Sequence, residues 1–373
     1  MATSSALPVR AWRRVWSGTG SRHLLLALLG LLAVIVYVEA ASDFRNLQFA
    51  AFGYLGIAAG GLTVLTGLNG QLSLGHGAFM AIGAYTTALF LDDGSPVVPL
   101  LGVLVVATLV TVLAGALIGA AAARLHGPYI AGATLALAVG VPGIALHFSD
   151  TLGGEQGLGV VAPPVPVWLL DLDYFFTGRD LTPSRYLSYV VWVCLIVTFV
   201  LLANLSRSRV GRRWRAVRDD DVAAEVAGIH LGRARVSAFV VSTACAGLAG
   251  AVMALVVRLT APGGYTLTLS LTLLTAVVLG GLGSLWGALI GAGLLSYLPQ
   301  LATNVGESLG LDQTRAAELA PLVYGAVMIA VILLAPTGIA GAVRALRARR
   351  TARAERPPPQ TTESTVQQGE MSR

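Results

Sequence analysis

Residues that could handle a solute or a partner gather in three places in this 373-residue chain. The first runs from Thr66 to Phe79, where Gly67, Gly70, Gly75 and Gly77 alternate with the polar Asn69, Gln71, Ser73 and His76 between two apolar runs. Backbone that leaves helical geometry at membrane depth must be covered by protein or line a wet cavity, and a broken helix offers free N–H groups to a carboxylate. The same string also fits a plain hairpin turn with a glycine packing face. The second runs from Gly280 to Gly291 and repeats that character through Gly281, Gly283 and Ser284; Gly70 and Gly280 open similar strings that close on Gly77-Ala78 and Gly287-Ala288. Paired breaks in two halves of a chain are what an internal repeat around a central site leaves behind.

The third place is polar. Ser208 to Ile229 carries Arg209, Arg212, Arg213, Arg215 and Arg218, then Asp219, Asp220 and Asp221, then Val222, Ala224, Glu225, Val226 and Gly228. The aspartates can cap a helix and Gly228 can end it. Val222, Val226 and Ile229 would then form one apolar stripe on about two turns, too short to be stable alone. Such a helix makes sense as a knob in another protein's groove; an ordinary solvated connector is the other reading.

The elements around these places must be membrane helices. Hydrophobic residues make up 55% of the chain and charged ones 12%, with a mean hydropathy of +0.75. A water-facing globule carries about a quarter charged residues, so lipid is the solvent. We expect an all-α polytopic membrane protein of about ten transmembrane helices with glycine-broken segments, at 23–39, 47–67, 76–91, 97–123, 129–148, 187–204, 236–257, 266–281, 285–300 and 319–336. All 25 basic residues are arginine. They concentrate in a basic arm (1–22), the stub at Arg124, segment 206–235 and the tail (337–373), whereas 40–46, 92–96, 150–186, 258–265 and 301–318 hold few. Placing the arginine-rich set in the cytoplasm alternates the loops correctly and puts both termini inside. The transmembrane domain is then 23–336, with 150–186 an extracytoplasmic loop able to hold a surface helix and 206–235 a cytoplasmic coupling loop; the end of the tail is expected to be disordered.

Function classes follow. Arginines at the ends of apolar runs suit anionic membrane lipid, and the aromatic-interleaved basic patches of a nucleic-acid reader are missing. Cys194 and Cys245 lie in apolar runs without metal-ligand spacing, so we expect neither metal nor cofactor. The charged groups of ion-coupled carriers are lacking from the spans, where His76 and His147 stand without carboxylates. With no lysine there is no P-loop. The chain is not expected to be an enzyme, and energy for active transport must enter from a partner.

Six ordered strings are similar to one family: Gly70–His76 with Gly83-Ala84-Tyr85; Gly127-Pro128-Tyr129 with Thr134-Leu135-Ala136; Gly153-Gly154 with Gly157-Leu158; Gly211 to Gly228; Gly280 to Ser284; and Pro336 to Ile339. Over residues 45–342 the chain resembles the branched-chain amino-acid ABC transporter permeases, in particular their LivM-like subunit. The resemblance implies a multi-pass protein of the bacterial plasma (inner) membrane. It implies a LivH-like second permease, two cytoplasmic ATP-binding subunits that hydrolyse ATP, and an extracytoplasmic solute-binding protein. It makes Asp219–Gly228 the coupling helix on the ATPase. Ala138-Val139-Gly140 lacks the family's usual acid and Glu155 stands where a small polar residue is usual, so the cargo is less fixed than the class. Branched-chain amino acids fit a path of alanine, glycine and leucine, with Gly153 and Gly154 along it, in which the helix ends and Asn69, Gln71, Ser73 or Thr134 meet the amino and carboxyl groups. Urea and short amides fit nearly as well, and a self-contained channel for small neutral solutes is the rival class.

Overall fold

A computed structural model describes residues 19–91, 99–122 and 129–310, with isolated positions between 312 and 342. The basic arm to residue 18, the stub at Arg124, most of the span predicted at 319–336 and the tail from 343 lie outside the described residues.

Thirteen α-helices are named here among the described residues: α1 (Thr19–Ala40), α2 (Asp43–Leu62), α3 (His76–Leu91), α4 (Leu100–Ala122), α5 (Tyr129–His147), the single turn α6 (Ser149–Leu152), α7 (Val167–Thr177), α8 (Pro183–Arg207), α9 (Arg209–Asp219), α10 (Asp221–Val226), α11 (Leu231–Val257), α12 (Leu267–Gly280) and α13 (Leu285–Ser308). A π-helical turn, Thr63–Leu68, extends α2, and a 3-10 turn, Pro262–Tyr265, precedes α12. The only sheet among the described residues is a two-residue antiparallel bridge, β1 (Leu158–Gly159) on β2 (Leu259–Thr260), pairing Leu158 with Thr260. Among the described residues, seven helical stretches are long and apolar enough to cross a membrane, from 43–68, 100–122, 129–147, 183–207, 231–257, 262–280 and 285–308; Leu24–Ala40 and α3 are apolar but shorter. The chain is an all-α polytopic membrane protein.

Several helices outrun their apolar runs. α8 begins at Pro183, fixed at the first helical position and capped by Thr182, whose hydroxyl accepts from the Arg185 amide. α13 continues past the expected end at 300 to Ser308, with Pro299 inside it; transmembrane helices tolerate proline because neighbours satisfy the freed backbone groups.

The α4 helix shows which solvent the bundle is built for. Leu101, Val105, Leu109, Leu113 and Leu117, one stripe at four-residue spacing, are all exposed, a surface that water would penalise and lipid does not. Its opposite face buries Ala107, Thr111, Gly115 and Gly119. Thr111 donates to the Ala107 carbonyl at 2.8 Å, so its buried hydroxyl is satisfied on its own helix. α11 lies at the centre, against α3 and α4. A Cβ on Gly83 would land on the Gly247 carbonyl, and one on Gly250 would land on the Met80 carbonyl. Lipid gives no hydrophobic push between helices, so small residues that let backbones approach and gain dispersion contact hold this pair.

Candidate functional site

The first glycine break begins where α2 widens. In the π-helical turn the Asn69 amide bonds back to Val64 O (3.2 Å) and the Gln71 amide to Leu65 O (3.1 Å), after which residues 70–75 leave helical geometry. Asn69, Gln71 and Ser73 are 3%, 7% and 1% exposed, a polar set held inside protein. Gln71 donates through Nε2 to Asn69 Oδ1 and to the Arg235 carbonyl at 3.1 Å. Gly70 sits at φ +79°, where a side chain is strained and a Cβ would press on Arg218. The Leu74 amide donates to Thr134 Oγ1 (3.0 Å), and Gly75 lies on the Thr134 backbone. His76 is buried with Nε2 at 3.0 Å from Ala58 O, which pins the start of α3 to α2. The Gly77 amide donates to Ser270 Oγ on α12 (2.9 Å).

The second break faces the first. Gly281 and Gly283 have φ +110° and +77°, and Ser284 caps α13 by accepting from the Gly287 amide at 3.1 Å. Gly67 and Gly283 meet backbone to backbone, and Gly338 rests on Gly281. Asn69–Ser73, Gly281–Ser284, Gly75, His76 and Thr134 are thus one neighbourhood.

Gly153 and Gly154 are elsewhere. Both take left-handed φ in the turn between α6 and β1, with Gly157 at +74° beside Thr260 and Ala261. The Val161 amide bonds Leu91 O (3.2 Å), which ties the strand leaving this turn to the last residue of α3.

The polar segment after α8 folds as two helices, α9 and α10, the first unforeseen. Ser208 caps α9, its Oγ accepting from the Val210 (3.1 Å) and Gly211 (3.4 Å) amides. Gly211, Trp214 and Val217 are buried while Arg212 and Arg213 are exposed. Trp214, 1% exposed, donates Nε1–H to Ser237 Oγ at 2.9 Å. The three aspartates take three roles. Asp219 accepts Nε and Nη2 of Arg218 at 2.9 and 2.7 Å; Asp220 caps α10 by accepting from the Ala223 amide (3.0 Å); Asp221 accepts Nη2 of Arg235. The third Arg218 contact goes from Nη1 to the Gly67 carbonyl at 2.7 Å. α10 stops in a Schellman motif: Gly228 has φ +81°, its amide bonds Glu225 O (2.9 Å), and the Ile229 amide bonds Ala224 O (3.0 Å). Ala224 is buried, Glu225 is exposed, and Val222 and Val226 stand 72% and 85% exposed.

Sequence reasoning missed Trp214, Ser270 and Arg235. The α9 anchor had a legible signal, since Ser208 followed by Gly211, Trp214 and Val217 at three-residue spacing marks a capped helix with one buried edge. Arg235 was passed over, because arginine at the start of an apolar run reads as a membrane-interface residue. Among the described residues no group of three or more metal-ligating side chains occurs.

The family described as branched-chain amino acid transport system / permease component matches residues 48–332. The high-affinity branched-chain amino acid transport system permease protein LivM of Salmonella typhimurium is 30% identical over 332 residues, covering 84% of this chain and 74% of the relative. LivM of Escherichia coli is 30% identical over 334 residues with the same coverage. BraD of Pseudomonas aeruginosa, named as a permease protein of the same kind of system, is 27% identical over 290 residues, 75% of this chain and 89% of the relative. No solved structure matches the chain.

Proposed function

We propose that this chain, which belongs to the branched-chain amino acid transport permease family, is a membrane permease subunit of an ABC importer for branched-chain amino acids. Its partners on this reading are a LivH-like second permease, two cytoplasmic ATP-binding subunits and an extracytoplasmic solute-binding protein, all at the bacterial inner membrane. The arginine-rich end that holds α9, α10 and both breaks faces the cytoplasm, with about ten spans and both termini inside.

The observation that carries the reading is the face of α10. A capped two-turn helix that buries Ala224 and displays Val222 and Val226 is stable only as part of something larger. Exposed valines beside carboxylates suit a groove on a soluble partner. The solute's route on this reading passes the buried amides and hydroxyl of Asn69, Gln71 and Ser73 with Thr134, and Gly153 and Gly154 serve the far end.

On this reading the ATPases supply the work, and it enters the chain through α10. The test reconstitutes the chain with its four partner subunits and follows labelled leucine and labelled urea. ATP-driven leucine uptake that the pair Val222→Asp and Val226→Asp abolishes supports the proposal. Leucine uptake that persists without the ATPases would establish a channel instead, and ATP-driven uptake of urea alone would reassign the cargo. Because both valines are exposed, these changes leave the fold of the chain within about 0.5 kcal/mol of wild type.

A further inference from the structure

We propose that Arg218 and Arg235 are positioning residues that carry displacement of α10 into the first glycine break. The inference rests on reading α10 as the helix that docks on the ATPase, and it adds the route by which docking reaches the buried path.

Two polar arms leave the neighbourhood of α10 and end within four residues of each other in the break. The first starts one residue before the α10 cap. Arg218, the penultimate residue of α9, holds Asp219 with Nε and Nη2 and reaches Gly67 O with Nη1 at 2.7 Å. The last carbonyls of a helix have no partner within it, and Gly67 belongs to the last turn of the extended α2. A guanidinium is the favoured group there, since it donates a charge-assisted bond and its charge opposes the negative end of the helix dipole. Arg218 also lies against Gly70, and Gly67 is the residue on which the second break rests, through Gly283. One side chain therefore joins α9 to the place where both breaks meet.

The second arm starts on α10 itself. Asp221, in its first turn, accepts from Arg235 Nη2. Arg235 is 9% exposed, and its own carbonyl accepts from Gln71 Nε2 at 3.1 Å, which also donates to Asn69. The series Asp221, Arg235, Gln71, Asn69 thus runs unbroken from a helix that shows Val222 to partners into the buried polar set of the break. A charge this buried keeps its partner or costs several kcal/mol, so Arg235 follows Asp221 when α10 moves.

A passive brace and a transmission arm make different predictions. A brace fixes the break in one position. A transmission arm makes the break respond to the ATPase. In the complete reconstituted complex, hydrogen exchange of residues 67–75 should differ at least threefold between the nucleotide-free and vanadate-trapped states. In the pair Arg218→Ala and Arg235→Ala that difference should vanish, and leucine moved per ATP hydrolysed should fall at least tenfold. Arg218→Lys keeps one donor for Gly67 O and should recover an intermediate ratio. Should the alanine pair fail to retain the ATPase subunits, Arg218→Lys and Arg235→Lys decide alone: wild-type ratios in both overturn the proposal. A wild-type break indifferent to nucleotide also overturns it, as does an alanine pair that couples normally. A wild-type complex with no ATP-driven leucine uptake instead refutes the importer reading, and it does so before any substitution is compared.

Discussion

Trp214→Ala should release α9 from the bundle without unfolding the bundle. α9 presents Arg209, Arg212, Arg213, Arg215 and Arg218 and is attached by Gly211, Trp214 and Val217, with Trp214 buried to 1% and bonded to Ser237 Oγ at 2.9 Å. Truncating a buried tryptophan to alanine costs about 3–5 kcal/mol. Because α9 is bounded by the extended residues Ser208 and Asp220, the loss falls on the local opening of this one helix. At the lower bound of about 3 kcal/mol, the opened population rises roughly 150-fold. Trp214→Phe keeps most of the ring and forfeits the hydrogen bond, about 1 kcal/mol or roughly fivefold. Trypsin is a suitable probe because the chain has no lysine, so cleavage between 207 and 219 occurs at arginine alone, and when reclosing outpaces cutting its rate follows the opened population. The expected order is wild type slowest, Trp214→Phe a few-fold faster and Trp214→Ala faster by two orders of magnitude, with sites in α11 unaffected. Equal rates for wild type and Trp214→Ala would show that the arginine face, not the buried ring, seats the helix.

Gly83→Leu should prevent α3 from meeting α11, because its first carbon already collides with the Gly247 carbonyl; size-exclusion profiles should show loss of folded protein. Gly132→Ala on α5, where a Cβ meets nothing within 4 Å, should instead stabilise by up to about 1 kcal/mol, read as a higher Tm. Burial raises the pKa of Asp173 on α7 above the usual 3.8, Glu39 adds to the rise, and Arg185 opposes it. Its ionised form is thus disfavoured in the native state, a cost absent below 3.8 and growing as pH rises through the raised value. Asp173→Asn should therefore raise Tm near neutral pH, and the gap should close as the pH falls below 3.8.

Helix identity was legible wherever one solvent acted over a long run. The stripe Leu101 to Leu117 needs only lipid outside and α11 inside, and α4 emerges near the bounds expected. Ends were less legible, because a helix ends where its backbone finds partners and not where its side chains turn polar. Thr182 and Pro183 begin α8 four residues before the apolar run at 187, and α13 passes through Pro299 because one missing N–H does not outweigh continued helical packing. The two breaks were visible as glycine and amide clusters. That they touch was not, since contact between Gly67 and Gly283 depends on where α2 and α12 end in space.

Sequence logic sees intervals, and it found α10 because Asp220, Val222, Val226 and Gly228 lie within one interval that a capped two-turn helix demands. It assigned the three aspartates jointly to capping, whereas one carboxylate satisfies the amide that needs a cap and the other two take arginines. A helix six residues long has few orphan amides to share, so Asp219 and Asp221 were free for Arg218 and Arg235. The bond from Gln71 to the Arg235 carbonyl joins residues 164 apart, and no spacing rule reaches so far. What could have been read is a constraint. Arg235 enters a span with a charge that must be met, and the acids preceding it in sequence are Glu225 and Asp219–Asp221. Burial of that charge to 9% exposure requires one of them to turn inward, and the chain uses Asp221, in the first turn of the helix that exposes Val222 and Val226.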